Sequence, residues 1–472
     1  MRNFRLGEWI GAPVTPLFES WLLTDIERGM HRRWEQLFGA PVEEPLHVVV
    51  NGWYFYSMNM PSSGWLLVRT LFISIRNLFG PHRAEMLAAS PPTAHLGFDR
   101  EVERWRTSLL PAYRETVTRA EGDVDNVPVA DLPALIDKLI AGAAVQMTSI
   151  VGVAGYAAKV EMKLATFWSK HLVKHEGAWL DLVVGANVTP ALHDVEGLDW
   201  YFPTLGERGA LPSSVSAKTR EALLSTRDAA TTRARAALSS NQLKAFDALV
   251  TTVRRAHQAR QEQTSQTTLA WPCLRRAVHR LAQTLVDRGQ LRAVNDAYFL
   301  QREELFAMLQ DATVTVHVAS RRTEWERQCR LAPPLLVGTL SGFLKKAFEA
   351  GEQLLTTDEH SAADALRGMP GSPGRVSGPA RVIRSVDELW RLQPGEILVA
   401  PVTTPGWTPA FARAIGIVTD TGSIASHASI VAREHGIPAV VGTADATARI
   451  CDGQQLIVDG SRGVVRLDGG VR

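Results

Sequence analysis

The sequence is poor in cysteine. Cys273, Cys329 and Cys451 are the only three in 472 residues, they lie far apart, and no CxxC spacing occurs. That argues against a disulfide framework or a thiolate zinc site and suits the reducing cytoplasm; no metal site is read from the sequence. The chain also lacks charge of one sign, with 51 Lys plus Arg against 49 Asp plus Glu and a net charge of +2. Neither nucleic acid nor an anionic membrane is therefore an expected partner. The opening segment Met1–Pro16 has no apolar h-region, so no signal peptide is expected. A GxxxxGK[ST] phosphate loop is absent as well. Tryptophan, by contrast, is plentiful at thirteen residues, which points to large apolar contact surfaces or a roomy apolar pocket. The length predicts two to three domains, and 45% hydrophobic with 21% charged residues is globular composition.

The run from Leu139 to Ala158 carries no charge, but Gln146, Thr148 and Ser149 interrupt it and Lys159, Glu161 and Lys163 continue its helical pattern. A buried, closely packed helix is the favoured reading over a bilayer span. Before it, His47–Asn51 and Trp53–Ser57 read as short strands around the turn signal Asn51-Gly52. From about 98 to 360 the text is helical, and the window 217–264 contains neither Gly nor Pro. A helix from Cys273 to Arg288 should stop at Gly289. Gly368–Gly378 then packs four glycines and two prolines into eleven residues. The prediction is an α+β multidomain protein: a mostly helical body over 1–360, a hinge linker over 361–378, and an α/β domain over 379–472.

The last region carries the chemistry. In Thr421-Gly-Ser-Ile-Ala-Ser-His-Ala-Ser-Ile-Val-Ala-Arg-Glu434, Ser426 can cap a helix whose first turn contains His427. A histidine there sits beside unpaired backbone N–H groups at the positive end of the helix dipole. Both stabilise a phosphoryl group on the imidazole, and the dipole disfavours imidazolium. A phosphoryl acceptor needs that neutral ring. The small residues Gly422, Ser423 and Ser426 leave room for a polyphosphate to approach. Arg433 either neutralises transferred phosphate or bonds helix-end carbonyls.

This segment, with Gly436–Gly442 after it, resembles the phosphohistidine swivelling domain of the phosphoenolpyruvate-utilising enzymes. Pro370–Gly374, Gly378–Ala380 and Thr404–Phe411 are similar to earlier landmarks of that domain, and Thr421 stands where the family has a first glycine. Gly7–Leu17 and Asp296–Leu300 with Glu304-Leu305 resemble, less closely, the substrate-binding region of rifampin phosphotransferases. The resemblance implies a carrier histidine, His427, in a loop with Thr421, Gly422, Ser423 and Ser426. It also implies ATP cleavage with magnesium in an ATP-grasp domain. No such domain is read here, so an ATP-grasp subunit is expected to load His427 in trans, with no cofactor held by this chain alone.

Weaker candidates have ordinary readings beside them. Trp53, Tyr54 and Tyr56 either line an apolar acceptor pocket or fill a core, since a strand points alternate residues both ways. Arg321 could grip phosphate or belong to a solvated helix face. His171 and His175 are read as polar residues of a surface helix, and Cys451 as core. The expected function is phosphoryl transfer from His427 to a small-molecule acceptor held by the body. The rivals are a ligase in which phosphorylation activates a condensation, and a non-catalytic scaffold.

Overall fold

The computed structural model describes residues 2–4, 10–38, 45, 47–57, 94–173, 175, 177–183, 193–195, 197–209, 217–331, 336–338, 365–424 and 426–467. The body contains helices α1 (Thr24–Phe38), α2 (Ala94–Arg104), α3 (Leu110–Asp123), α4 (Leu132–His171), α5 (Ala217–Ala236) and α6 (Ser240–Thr264). Helices α7 (Trp271–Asp287), α8 (Arg302–Gln310) and α9 (Ala319–Cys329) follow. In α7, Trp271, Leu274, Val278, Leu281 and Leu285 recur at helical spacing and are fully buried, so one face of this helix drives it into the core.

Helix α4 organises the body because it is long enough to serve two cores. Its first half places Leu132, Ile136, Leu139, Ile140 and Met147 in one cluster with Trp21, Trp271 and Phe299. Its second half places Val153, Val160, Leu164 and Trp168 in another with Phe246 and Val253 of α6. By length and composition α4 could cross a membrane. Here it packs against α1, α2, α3, α6 and α7. The polar residues of its charge-free run are matched inside: the Trp105 indole donates to Gln146 at 2.6 Å, and the Ser149 hydroxyl donates to Glu101 at 3.0 Å.

Trp21, Trp105, Trp200 and Trp271 are all fully buried, so these four tryptophans serve contact surfaces. Beside the helices, β1 (Arg2–Phe4), β2 (His47–Val50), β3 (Trp53–Ser57) and β4 (Leu336–Gly338) form an antiparallel sheet in the order β2-β3-β1-β4. Asn51 and Gly52 make the β2–β3 turn at φ 52° and 83°.

The C-terminal domain is an eight-stranded sheet in the order β5-β12-β11-β7-β8-β9-β10-β6. Its strands are β5 (Ala365–Arg367), β6 (Met369–Ser372), β7 (Arg375–Val382), β8 (Ile397–Ala400), β9 (Gly416–Thr419), β10 (Ala439–Val441), β11 (Gln455–Asp459) and β12 (Val464–Leu467). Strands β7 to β10 are mutually parallel. Every residue of β8, β9 and β10 is buried, the pattern of parallel strands covered on both faces. Helices α10 (Thr408–Phe411), α11 (His427–His435) and α12 (Ala446–Arg449) complete the domain.

The expected hinge over 361–378 is corrected from Ala365 onward, where the chain is already sheet in β5, β6 and β7. At Gly368 the backbone approaches β10 so closely that a Cβ would lie 2.5 Å from the Val441 carbonyl oxygen. That glycine serves close packing, and Ala365–Arg375 already belongs to the sheet of the domain expected from 379. Residues 361–364 lie outside the described residues. Cys451 is corrected too: it is exposed in the turn that leads to β11.

Candidate functional site

Parallel strands deliver their connecting loops to one edge, and ligands of such sheets gather beyond the carboxyl ends. The loops after β8, β9 and β10 meet there. Asp420 N–H donates to Ala400 O at 3.1 Å and Thr421 N–H to Pro401 O at 3.0 Å, tying the β9 loop to the β8 loop. Thr443 N–H donates to Thr419 O at 3.0 Å and Ala444 N–H to Asp420 O at 2.8 Å, tying it to the β10 loop. Gly422 and Gly442 face each other with φ of 147° and 70°, and a Cβ on Gly442 would lie 2.8 Å from the Gly422 carbonyl oxygen. Only glycine fits both positions without strain.

Out of this junction the chain turns into α11. Ser426 is the N-cap at φ −69° and ψ 160°, and its hydroxyl accepts from Ser429 N–H. Ser429 Oγ donates in turn to Ser423 O at 2.7 Å, and Ser426 N–H donates to the same carbonyl at 2.9 Å. His427 is therefore the first helical residue, held by a closed serine network. Its side chain is half-buried.

Both ring nitrogens meet hydroxyls of the β8 loop and α10. Thr403 Oγ1 lies 3.2 Å from Nδ1, and Thr408 Oγ1 lies 3.5 Å from Nε2, at the outer limit for a hydrogen bond. The Phe411 ring closes the side of the imidazole edge-on at 5.8 Å. Burial pushes the His427 pKa down to about 3, so the ring is neutral at physiological pH. A neutral imidazole presents one donor and one acceptor, and a hydroxyl satisfies either. The arrangement holds an uncharged nucleophilic nitrogen in a fixed orientation at a helix start.

The remaining predicted residues divide sharply. Thr421, Gly422, Ser423 and Ser426 all lie in the loop around His427, and the Thr421 hydroxyl donates to Pro401 O at 3.0 Å. Arg433 does not face that loop's mouth. Its guanidinium is buried and donates to Gly371 O at 3.1 Å and Ile424 O at 2.7 Å, so it bonds carbonyls rather than clamping phosphate. Burial lowers its pKa to about 10.

Arg321 is likewise engaged, pairing both terminal nitrogens with Glu304 at 2.6 and 2.8 Å and donating to Phe299 O at 3.0 Å. This clamp joins α9 to α8 and leaves no free fork for an anion. Trp53 is buried with its indole donating to Gln328 at 3.2 Å, and Tyr54 stacks on His47 at 5.5 Å while packing against the body's first core. They belong to the small sheet, a different unit from the His427 loop. Tyr56 pairs through its backbone with Phe4 and His47, and its side chain lies outside the described residues. His171 ends α4 and contacts Gln242 at 2.9 Å, whereas His175 is beyond the helix, so the two share no helical face.

Thr403 and Thr408 were not anticipated. Their signal was the spacing of Thr403, Thr404 and Thr408 around Pro405 in a segment already similar to a domain landmark. Thr419 and Asp420 were also missed. Asp420 is buried and accepts from Thr447 N–H at 2.8 Å and from the Thr447 hydroxyl at 2.5 Å. Burial raises its pKa against the effect of those bonds.

Comparison with known proteins matches residues 392–463 to the family described as PEP-utilising enzyme, mobile domain. The chain is 36% identical over 189 residues to the uncharacterized phosphotransferase YvkC of Bacillus subtilis, covering 40% of this chain and 23% of that protein. It is 32% identical over 194 residues to rifampicin phosphotransferase of Bacillus cereus, covering 41% and 21%. It is 45% identical over 157 residues to chondramide synthase of Chondromyces crocatus, covering 32% and 4%. The chain thus spans less than a quarter of the length of these relatives.

Proposed function

We propose, from the premise that residues 365–467 contain the mobile domain of a PEP-utilising enzyme, that His427 carries a phosphoryl group to a small-molecule acceptor bound by the helical body. The observation that carries this reading is the neutral His427 ring at a capped helix start, with a threonine hydroxyl at each nitrogen. ATP with magnesium is the donor, held by an ATP-grasp unit outside these 472 residues. The unprotonated ring nitrogen attacks the phosphorus, an N–P bond forms and the bond to the leaving oxygen breaks. The ring proton stays on the other nitrogen, which donates a hydrogen bond to a threonine oxygen. In the second half the acceptor oxygen attacks, the N–P bond breaks, and the acceptor's proton is released. Positioning dominates such chemistry, which suits a nucleophile whose orientation is fixed before the donor arrives.

For the acceptor, the body offers a cavity of about 430 Å³ between α4 and α6, lined by Tyr156, Val160, Phe167 and Leu249 with Lys159 and Lys163. Apolar walls and two cations suit a moderately apolar molecule with an anionic group. One relative is named a synthase, and the second reading is that phosphorylation activates an intermediate for condensation. Product analysis separates the two, because a condensation releases free phosphate and a joined molecule. The decisive test is His427→Ala with labelled ATP and an ATP-grasp protein. An acid-labile, base-stable label on the wild-type peptide containing His427, absent from the variant along with product, is the expected result. Full product from His427→Ala would leave only the scaffold reading.

A further inference from the structure

Two helices of the body and one helix of the C-terminal domain bury charged side chains near one another. Glu161 of α4, His257 and Arg260 of α6, and Arg433 of α11 are each less than a tenth exposed. His257 Nε2 contacts the Glu161 carboxylate. Burial would raise the Glu161 pKa, but the fields of His257, Arg260 and Arg433 outweigh it and hold the carboxylate below its ordinary range. Arg433 and Glu161 are both buried where the two domains meet, and each lies within the other's field. Glu161 supplies the larger counter-charge and Glu434, on its own helix, a smaller one, against the like charge of Arg260. A buried cation needs such partners, since without them its desolvation is uncompensated.

The same arginine reaches the carrier loop. It donates to the Ile424 carbonyl at 2.7 Å, three residues before His427. The Ile424 side chain is 5% exposed and belongs to the body's second core with Val160, Val253 and Ala256. The body and the C-terminal domain also meet where Arg208 pairs with Asp387 at 2.8 Å and where Gly436 lies against Leu223 of α5. Arg433 thus holds the loop beside His427 through Ile424, which packs against Val160, the residue before the buried Glu161.

We infer that Glu161 is a positioning residue: with His257 and Arg260 it forms the body's receptor for Arg433 and holds the His427 loop docked on the α4–α6 face. Its part in transfer rests on the carrier reading, because docking on the body is what brings the loaded histidine to an acceptor there. Docking itself is tested without phosphate. In the unphosphorylated 472-residue protein, Glu161→Gln should raise hydrogen exchange of the amides at 421–424 and 426 at least tenfold, with α7 unchanged. Arg433→Gln should do the same, and the double variant should exchange no faster than the faster single one.

Unchanged exchange in Glu161→Gln, or single effects that multiply in the double variant, would overturn the proposal. So would a loss of protection that spreads through α7. Should Glu161→Gln fail to fold, Arg433→Gln decides by carbodiimide labelling of Glu161. A tenfold gain in labelling is expected, and unchanged labelling refutes the contact. In turnover, Glu161→Gln should slow transfer from His427 to the acceptor while leaving the loading rate unchanged, and Glu161→Asp should restore part of the transfer rate. Loosened docking in a protein that never forms phosphohistidine would refute the carrier reading and leave the receptor standing.

Discussion

The Thr403 hydroxyl lies 3.2 Å from Nδ1 of His427, although one residue is on the loop after β8 and the other opens α11 after β9. A parallel sheet makes this contact possible, because neighbouring strands end at the same edge and their loops emerge side by side. Thr403→Val keeps the volume and removes the hydrogen bond. With a net worth of about 1 kcal/mol for such a bond, loading of His427 should slow roughly tenfold or less. Thr403→Ser should recover most of it. The rate of label incorporation measures both, and a Thr403→Val protein loading at the wild-type rate would exclude a positioning role.

Gly442 and Gly422 meet too closely for a side chain. Gly442→Ala would place a Cβ 2.8 Å from the Gly422 carbonyl oxygen at a φ of 70°. The strain should cost on the order of 1–3 kcal/mol. Gly453 has a similar φ of 80° but open space around it, so Gly453→Ala should cost only the conformational part, about 1 kcal/mol. Urea melts of the two variants compare them, with the larger loss expected at Gly442.

The neutral state of His427 has a definite acid signature. Its pKa falls from 6.5 in the unfolded chain to about 3 in the folded protein, so the unfolded state binds the proton first. The stability held by keeping the ring neutral is complete above about pH 6.5 and is lost as pH falls toward 3. His193, pushed down to about 4 by burial, adds a loss of the same sign over an overlapping window. The His427→Ala protein should show a shallower decline of urea midpoint between pH 6.5 and 4 than the wild type. An identical slope would contradict the neutral imidazole.

Trypsin should treat residues 365–382 as folded sheet. Arg367 pairs with Val464 and Arg375 with Asp459 inside the sheet, and Arg381 is salt-bridged to Glu396 at 2.5 Å. Limited digestion followed by mass spectrometry should find the C-terminal domain uncut at these three arginines. Early cleavage at Arg367 or Arg375 would restore the hinge there.

By itself the sequence determined the helical body and the C-terminal α/β domain, and through its resemblance to a family motif it singled out His427 as the candidate. The elements depend on local properties: helical spacing of apolar residues in 217–287, continuous apolar runs at β8, β9 and β10, and a serine cap that starts the helix at His427. Local glycine density misled at Gly368–Gly378, where the same residues that permit a hinge also permit close strand packing. Only the tertiary structure decided what faces His427, because Thr403 and Thr408 are 24 and 19 residues away and are brought to it by strand order. It also decided the fates of Arg433 and Arg321. A guanidinium has the same charge in sequence whether it faces solvent, phosphate or protein carbonyls. Which of these it meets depends on burial and on distant partners such as Gly371, Ile424 and Glu304, which no local pattern encodes.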